Sequence, residues 1–541
     1  MRGRGSDRVR RAVGSVASAD VRVWTVVVVV VFSILFWAAG RHASVIVDGV
    51  RYHFLDDDQM IPMRYARNLA EGHGLVWNPG GDRVEGYTNF GWTLVMAVVH
   101  AFDASDATTS LWVRGLNWLL AAWVLLLTAR LLVALGLDRG PPARAVLLTL
   151  ALSYDLLFWS INGFETTLLT GLFLWGVVRA LDDAARGALS APTCLLAGLL
   201  PIVRSDAADL TLAVLVVAVG LGARRRWGWL LLAALPLVAH ETFRVTYYGD
   251  WLPNTYYLKV AGRSDLLWRG LGHVKAFVAA YAVVVVLAGA AGLVDTDRRV
   301  RVLVLVVGLG FVRILAVGPD MFPGFRFLAP YLPLVFVAAA ATITRLASTR
   351  YAVVVLTTLL MVATIFNAGV NGGTSYRALV SDNGGPVVNT ATGVLLNRHT
   401  RPEARLAVVA AGCLPYFARR DTIDILGKSD RHVARLPAVA GAATGHNRFD
   451  IDWSLRDRPD IVASFSPQLF TTQADVILKM VRSDPERDYG TALALNPTFV
   501  REYRDHPVPV RYLLDRNALF VHERSPEIVR LGGWREPSVQ R

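Results

Sequence analysis

The chain has 541 residues, 54% hydrophobic and only 18% charged, with a mean hydropathy of +0.41. Soluble domains carry about 25% charged residues, so a cytoplasmic globular enzyme is excluded. Fifty-six Lys and Arg against 43 Asp and Glu leave a net charge of +13, an excess that the cytoplasmic loops of membrane proteins carry beside anionic headgroups. No interleaving of aromatic and basic residues suits a nucleic acid strand, so the expected surroundings are a lipid bilayer and no nucleic acid.

Charge is also unevenly distributed, at roughly 15% of residues before position 371 and roughly 25% after it. This divides the chain into a cytoplasmic N-terminus (1–21), a transmembrane domain (22–371) and a more soluble C-terminal domain (372–541). Five arginines up to Arg11 precede the first apolar run, which reads as an uncleaved first helix because it is long enough to span and lacks a clear small-residue cleavage site. The two cysteines, Cys194 and Cys413, fall in different regions and rule out a disulfide framework.

In chain order, apolar runs of spanning or near-spanning length lie at about 22–40, 111–135, 145–161, 165–181, 193–203, 207–222, 227–246, 273–294, 300–317, 327–347 and 351–371. They predict about eleven transmembrane helices. The pair at 193–222 reads as two part-helices meeting at Arg204-Ser205-Asp206. The apolar stretch from Phe90 to Phe102 is too short to cross a core of about 30 Å at about 1.5 Å per residue and is expected to lie in the interface. With the basic N-terminus inside, the loops 138–144, 179–186, 224–226, 298–301 and 345–350 face the cytoplasm, and each contains arginine. The opposite set then faces outward, in a multi-pass plasma-membrane protein whose C-terminal domain is extracytoplasmic.

The outer set holds the unusual polar sequence: Asp56-Asp57-Asp58, Glu85 to Asn89, Glu165, Arg204 with Asp206, Asn254 to Lys259, and Asp320 with Arg326. Its first loop, 41–110, is longer than a mere connector requires. Three successive carboxylates repel one another, so at least one should favour a proton, a cation or a basic neighbour. Such a group can take a proton from a hydroxyl or bind a divalent metal such as Mg, Mn or Ca. The bland alternative is a solvated helix N-cap. Arg64, Arg204, Lys259 and Arg326 suit a phosphate, or else snorkel toward headgroups. Glu165 is a ligand or a dipole-complementing cap. Interfacial aromatics such as Tyr256 suit sugar stacking or an ordinary aromatic belt.

The run from Asp57 to Asn89, with Phe164-Glu165-Thr166, Val203 to Asp206, Pro253 to Lys259 and Asp320 to Arg326, resembles the GT-C superfamily of membrane glycosyltransferases that use polyprenyl-phosphate sugars. Within it the branch containing the terminal arabinofuranosyltransferase of mycobacterial walls is the most similar. The resemblance implies a catalytic first outer loop, a polyprenyl-phosphate sugar donor, a cell-envelope glycan acceptor and arabinofuranose as the first-choice sugar. It implies a base at Asp57 or Asp58, with Asp56 as an extra acid, donor-phosphate contacts at Arg64, Arg204, Lys259 and Arg326, and substrate contacts at Glu85, Asn89, Glu165, Asp206, Asn254, Tyr256 and Asp320. The sequence departs from the family pattern at Phe164, Ser205 and Pro319, none of them charged.

In the tail, strands are expected at 405–411, 422–426 and 460–465 and helices at 387–396 and 474–481, giving an α/β layer with a mostly parallel sheet. Turns after these strands put forward Asp424, Asp430 and His446 for acceptor binding, against plain turn and cap chemistry. Cys413 reads as a packed thiol. Competing functions are a transporter or lipid flippase, disfavoured because the ionisable residues gather at one face rather than mid-membrane, and a non-catalytic envelope scaffold.

Overall fold

The computed structural model describes residues 18–103, 105–260, 265–320, 322, 324–346, 349–370, 384–439, 445–464, 488–505, 518–522 and 539–540. The chain forms two compact units. One is made of 1–40, 115–242 and 264–381, and the other of 41–114, 243–263 and 382–541. The segment 41–114 therefore groups with the C-terminal region rather than with the helices on either side of it.

A helix stands at each of the eleven apolar runs. Among the described residues, five are long and apolar enough to cross a membrane: Ala19–Gly40, Thr109–Leu135, Gly140–Ile161, Arg298–Val317 and Ala329–Leu346. The run at 273–294 is not the straight span the sequence suggests, because Leu266–Ala280 and Ala282–Val294 meet at an angle of 97°. The remaining runs correspond to the helices Thr166–Arg186, Ala191–Val203, Ala208–Gly220, Leu230–Tyr248 and Arg350–Val370. Ala191–Val203 and Ala208–Gly220 are short and flank the polar break, as expected, and Phe90–Phe102 is a 13-residue helix.

The helical unit packs through one continuous apolar core that includes Phe32, Phe36, Leu131, Phe173, Val214, Tyr331 and Phe336. Small residues let its backbones approach closely, as is usual where no hydrophobic gain separates lipid from protein. A Cβ on Gly198 would lie 2.3 Å from the carbonyl oxygen of Ala233.

In the second unit, strands β1 (Ser44–Val47) and β2 (Val50–His53) form a hairpin within the segment 41–110, which alternation alone did not reveal. Its two-residue turn places Asp48 and Gly49 at φ 49° and 80°, the positive-φ pair that matches strand twist. The main sheet comprises β3 (Arg405–Val408), β4 (Asp421–Asp424), β5 (Ile461–Ser464), β6 (Tyr503–Asp505) and β7 (Ala518–His522), in the order β4-β3-β5-β7-β6. Strand β3 runs parallel to β4 and β5, whereas β7 is antiparallel to β5 and β6. The sheet is thus mixed rather than mostly parallel. Strand β8 (Val539–Gln540) pairs with β1. The helix Gly384–His399 covers the expected 387–396, while the helix expected at 474–481 lies outside the described residues.

Candidate active site

The second unit carries the carboxylates of the first loop. Asp56 is the N-cap of the helix Asp57–Ala70, its side chain accepting from the Asp58 amide at 3.0 Å. The cap reading therefore holds for Asp56, which sets it apart from the two acids that open the helix. Asp57 is held in a different way: the Cys413 amide donates to its Oδ1 at 2.9 Å and Asn389 Nδ2 at 3.3 Å. This contact needs glycine before the cysteine, since a Cβ on Gly412 would fall 1.7 Å from the Asp57 carbonyl oxygen. Burial raises the Asp57 carboxyl above its ordinary range. The Cys413 amide, Lys428 and Asn389 oppose that rise, and Asp58 adds to it. Cys413 is fully buried, as expected of a packed thiol, and burial pushes that thiol well up.

Sequence reasoning missed Lys428. It follows β4 in a turn whose carbonyls are gathered by one side chain: Asn254 Nδ2 donates to Gly427 O at 3.0 Å, Lys428 O at 3.1 Å and Asp430 O at 3.1 Å. Lys428 is only 5% exposed. Burial, the largest influence, depresses its pKa, but Asp58, Asp424, Asp57 and Asp56 together outweigh it and the net direction is upward. Asp424, also buried, is fixed by the amides of Leu426 (3.1 Å) and Ser429 (2.7 Å). The signal available beforehand was the Gly-Lys-Ser-Asp turn beyond a strand end.

Several site expectations need correction. Arg64 is 1% exposed and its donors reach Trp77 O (2.6 Å), Pro415 O (2.7 Å), Thr422 Oγ1 (3.2 Å), Asn78 Oδ1 (2.6 Å) and Arg420 O (2.8 Å). No donor is left for a phosphate, and Arg64 is a clamp between segments of its own unit. Glu85 is buried against Arg244 at 2.6 Å, and Asn254 holds the Lys428 turn. Asn89 is buried, with Nδ2 on Gln59 Oε1 at 3.3 Å. Asp430 caps the helix Arg431–Ala434 and accepts from Trp453 Nε1 at 3.0 Å, which is cap chemistry. Tyr256 is exposed beside Tyr257, and Lys259 lies one turn further along the same short helix.

In the helical unit, Arg204 ends the helix Ala191–Val203 with its Nη1 on Glu165 at 2.5 Å and its Nε on Asp206 at 2.5 Å. Arg313 pairs with Asp206 at 2.8 Å and approaches Asp209 at 3.6 Å, while the Tyr331 hydroxyl donates to Asp209 at 2.6 Å. Both guanidinium groups lie over the Phe327 ring, at 4.6 and 4.7 Å. Glu165 stands at the N-cap position of the helix Thr166–Arg186 without a side-chain cap hydrogen bond, its carboxylate paired with Arg204. Arg326 pairs with Asp320 at 2.5 Å and faces Phe164 at 5.1 Å. Sequence reasoning gathered most of these residues but missed Arg313, which sits inside an apolar helix.

Among the described residues, no three His, Cys, Asp or Glu side chains are grouped to hold a metal ion. The second unit sets the Lys428 ammonium near the acids that open the helix Asp57–Ala70.

Comparisons with known proteins agree with this architecture. A family described as a domain of unknown function (DUF8728) matches residues 377–517. The chain is 32% identical over 258 residues to the terminal β-(1→2)-arabinofuranosyltransferase of Mycobacterium tuberculosis, covering 42% of this chain and 38% of that protein. It is 27% identical over 331 residues to the protein of the same name from Corynebacterium glutamicum, covering 51% and 46%. The chain thus spans less than half the length of the curated relatives it matches. Crystal structures of ArnT from Cupriavidus metallidurans superpose with TM-scores of 0.55 for the apo state and 0.54 for the complex with undecaprenyl phosphate. Sequence identity is 14% and 12%, and the matches cover 92% and 93% of this chain and 97% and 98% of those chains. The resemblance read from the motifs is therefore borne out: the chain has the GT-C fold of the ArnT structures and is related to the terminal arabinofuranosyltransferases.

Proposed function

We propose that this protein is a membrane glycosyltransferase that moves a sugar from a polyprenyl phosphate to a glycan of the cell envelope on the outer side of the plasma membrane. Arabinofuranose is the first-choice sugar, after the names of the relatives. A polyprenyl phosphate donor is supported by the lipid held in the ArnT complex. The orientation rests on the arginines of the alternate loops, and about eleven crossings on the eleven helical runs.

In the proposed step, the acceptor oxygen bonds to the anomeric carbon as the bond from that carbon to the phosphate oxygen breaks. The electron pair of the broken bond stays on the phosphate, and the hydroxyl proton passes to a carboxylate. Asp57 is the proposed base and Asp58 its neighbour. The observation carrying this choice is the fixed, largely enclosed carboxyl of Asp57, held by the Cys413 amide and Asn389 and raised toward the range a base needs near neutral pH. Of the cations proposed for the donor phosphate, Lys259 is retained in the second unit. In the helical unit, Arg204 and Arg326 already hold carboxylates and are proposed to organise the loops that carry Glu165, Asp206 and Asp320.

The test is transfer of labelled sugar from polyprenyl-phosphate arabinofuranose by purified protein in lipid, comparing wild type with Asp57→Asn and Asp58→Asn. Loss of labelled product at an unchanged melting temperature supports the reading. Full transfer by both variants sinks it.

A further inference from the structure

We infer that Lys428 is a phosphate-binding residue of the second unit, whose ammonium receives the phosphate of the polyprenyl donor opposite Asp57 and Asp58. The inference rests on the proposed function and deepens it.

An ammonium taken out of water needs oxygen partners, and proteins supply them almost without exception. The buried cations here follow that rule: Arg64, Arg67, Arg204, Arg244, Arg313 and Arg326 each touch protein oxygens. Lys428 does not. The residue is 5% exposed, and among the described residues its Nζ makes no hydrogen bond and no ion pair within 4.0 Å; the atom keeps part of that small exposure, so it is within reach of a ligand.

Nor is the side chain there by chance of a loose loop. Asn254 fastens the carbonyls on both sides of Lys428, Gly427 supplies the positive φ of 74° that the turn requires, and the Ser429 amide is tied to Asp424. The Tyr65 hydroxyl, from the helix that opens with Asp57 and Asp58, donates to Val84 O at 2.8 Å and meets the Ser429 Oγ hydroxyl at 3.3 Å. Opposite, a Cβ on Gly86 would lie 2.5 Å from that same Oγ, so the neighbouring segment is packed flush against the turn. The fold thus holds a charged head beside the acids without letting it collapse onto them.

A phosphate oxygen fits that vacancy in bonding. Polyprenyl-phosphate sugars are phosphodiesters with a single negative charge, which the acids alone would repel; the ammonium offsets this. When the anomeric bond breaks, the departing phosphate gains a second charge while the acceptor proton moves to Asp57 or Asp58. Lys428 then holds a more negative partner than in the ground state, so its contact strengthens toward the transition state. This is the charge stabilisation that a divalent cation supplies elsewhere.

The experiment uses the full chain in nanodiscs and compares binding of undecaprenyl phosphate with binding of undecaprenol, which lacks the phosphate. Wild type should prefer the phosphate, and Lys428→Met should lose about tenfold or more of that preference while binding undecaprenol as before. Lys428→Arg should restore part of it, and Lys428→Gln carries the same comparison if the Met variant fails to fold. An unchanged preference in the neutral variants overturns the proposal, as does full competition by inorganic phosphate, which would place a soluble anion there. Binding is read without turnover, so absence of sugar transfer would end the functional reading and leave this comparison to decide on Lys428.

Discussion

Buried charge is handled differently in the two units. In the helical unit, Arg204, Arg313 and Arg326 meet Glu165, Asp206, Asp209 and Asp320 in direct ion pairs, with Phe327 beneath all three guanidinium groups. In the second unit, Arg64 and the Glu85–Arg244 pair are closed in the same manner. At the start of the helix Asp57–Ala70, Asp57 is fastened to amide groups, and among the described residues the nearby Lys428 makes no direct ion pair but feels the acids through space. A closed network fixes backbone and leaves little bonding capacity for a substrate. An arrangement whose charges are held apart by their own loops keeps its field available to a ligand.

The comparison breaks most visibly at Asp57. Replacing it with Asn should cut transfer by about 10²- to 10⁴-fold, the range of a lost general base. Because burial raises the Asp57 carboxyl, the fold favours its protonated form. The stability linked to that preference is complete below the ordinary carboxylate pKa and is lost as pH climbs through the raised value. Asp57→Asn should therefore melt at the same or a higher temperature than wild type at pH 7 while being inactive. In wild type, transfer should fall as pH drops through a value above the ordinary carboxylate range, and this acid limb should vanish from any residual activity of the variant. A variant that is both inactive and strongly destabilised would reassign Asp57 to structure.

The closed network should answer in the opposite sense. Arg204→Met leaves Glu165 buried without its cation, which costs about 3–5 kcal/mol. Adding Glu165→Leu to that variant should recover much of the loss, because an apolar pair of similar volume replaces a buried ion pair at little penalty. Thermal unfolding in lipid reads both variants. If Arg204→Met melts like wild type but loses transfer, its guanidinium acts on substrate and the division between closed and open charge fails there.

How far the sequence reached follows the same line. Helices at the eleven apolar runs were legible because apolar length is a local signal, and the short pair around Arg204-Ser205-Asp206 because polar residues interrupt it. The bend between Ala280 and Ala282 was not: neither Pro nor Gly marks it, and Tyr281, whose hydroxyl donates to Asp155 at 2.5 Å, stands where the two helices meet. The acids could be named, but their partners could not. Arg64 finds its acceptors about 350 positions away, at Pro415, Thr422 and Arg420, and no local pattern reports such a meeting. Lys428 was passed over for the same reason, since alone it reads as an ordinary turn lysine. The sheet was misjudged because the three strands expected, now β4, β3 and β5, are its parallel part, whereas the antiparallel strands β6 and β7 were not among those expected.

The smallest effect separates Asp56 from its neighbours. Its carboxylate caps the helix by accepting from the Asp58 amide, so Asp56→Ala should cost about 1 kcal/mol of stability, while Asp56→Asn or Asp56→Ser should restore most of it because either side chain can accept the same hydrogen bond. Transfer should follow stability across the three variants and keep the acid limb of wild type, since the cap touches the helix start and not the acceptor proton. If instead Asp56→Asn kept the melting temperature but removed the acid limb, the proton would belong to Asp56, and the acid singled out as a cap would be the base.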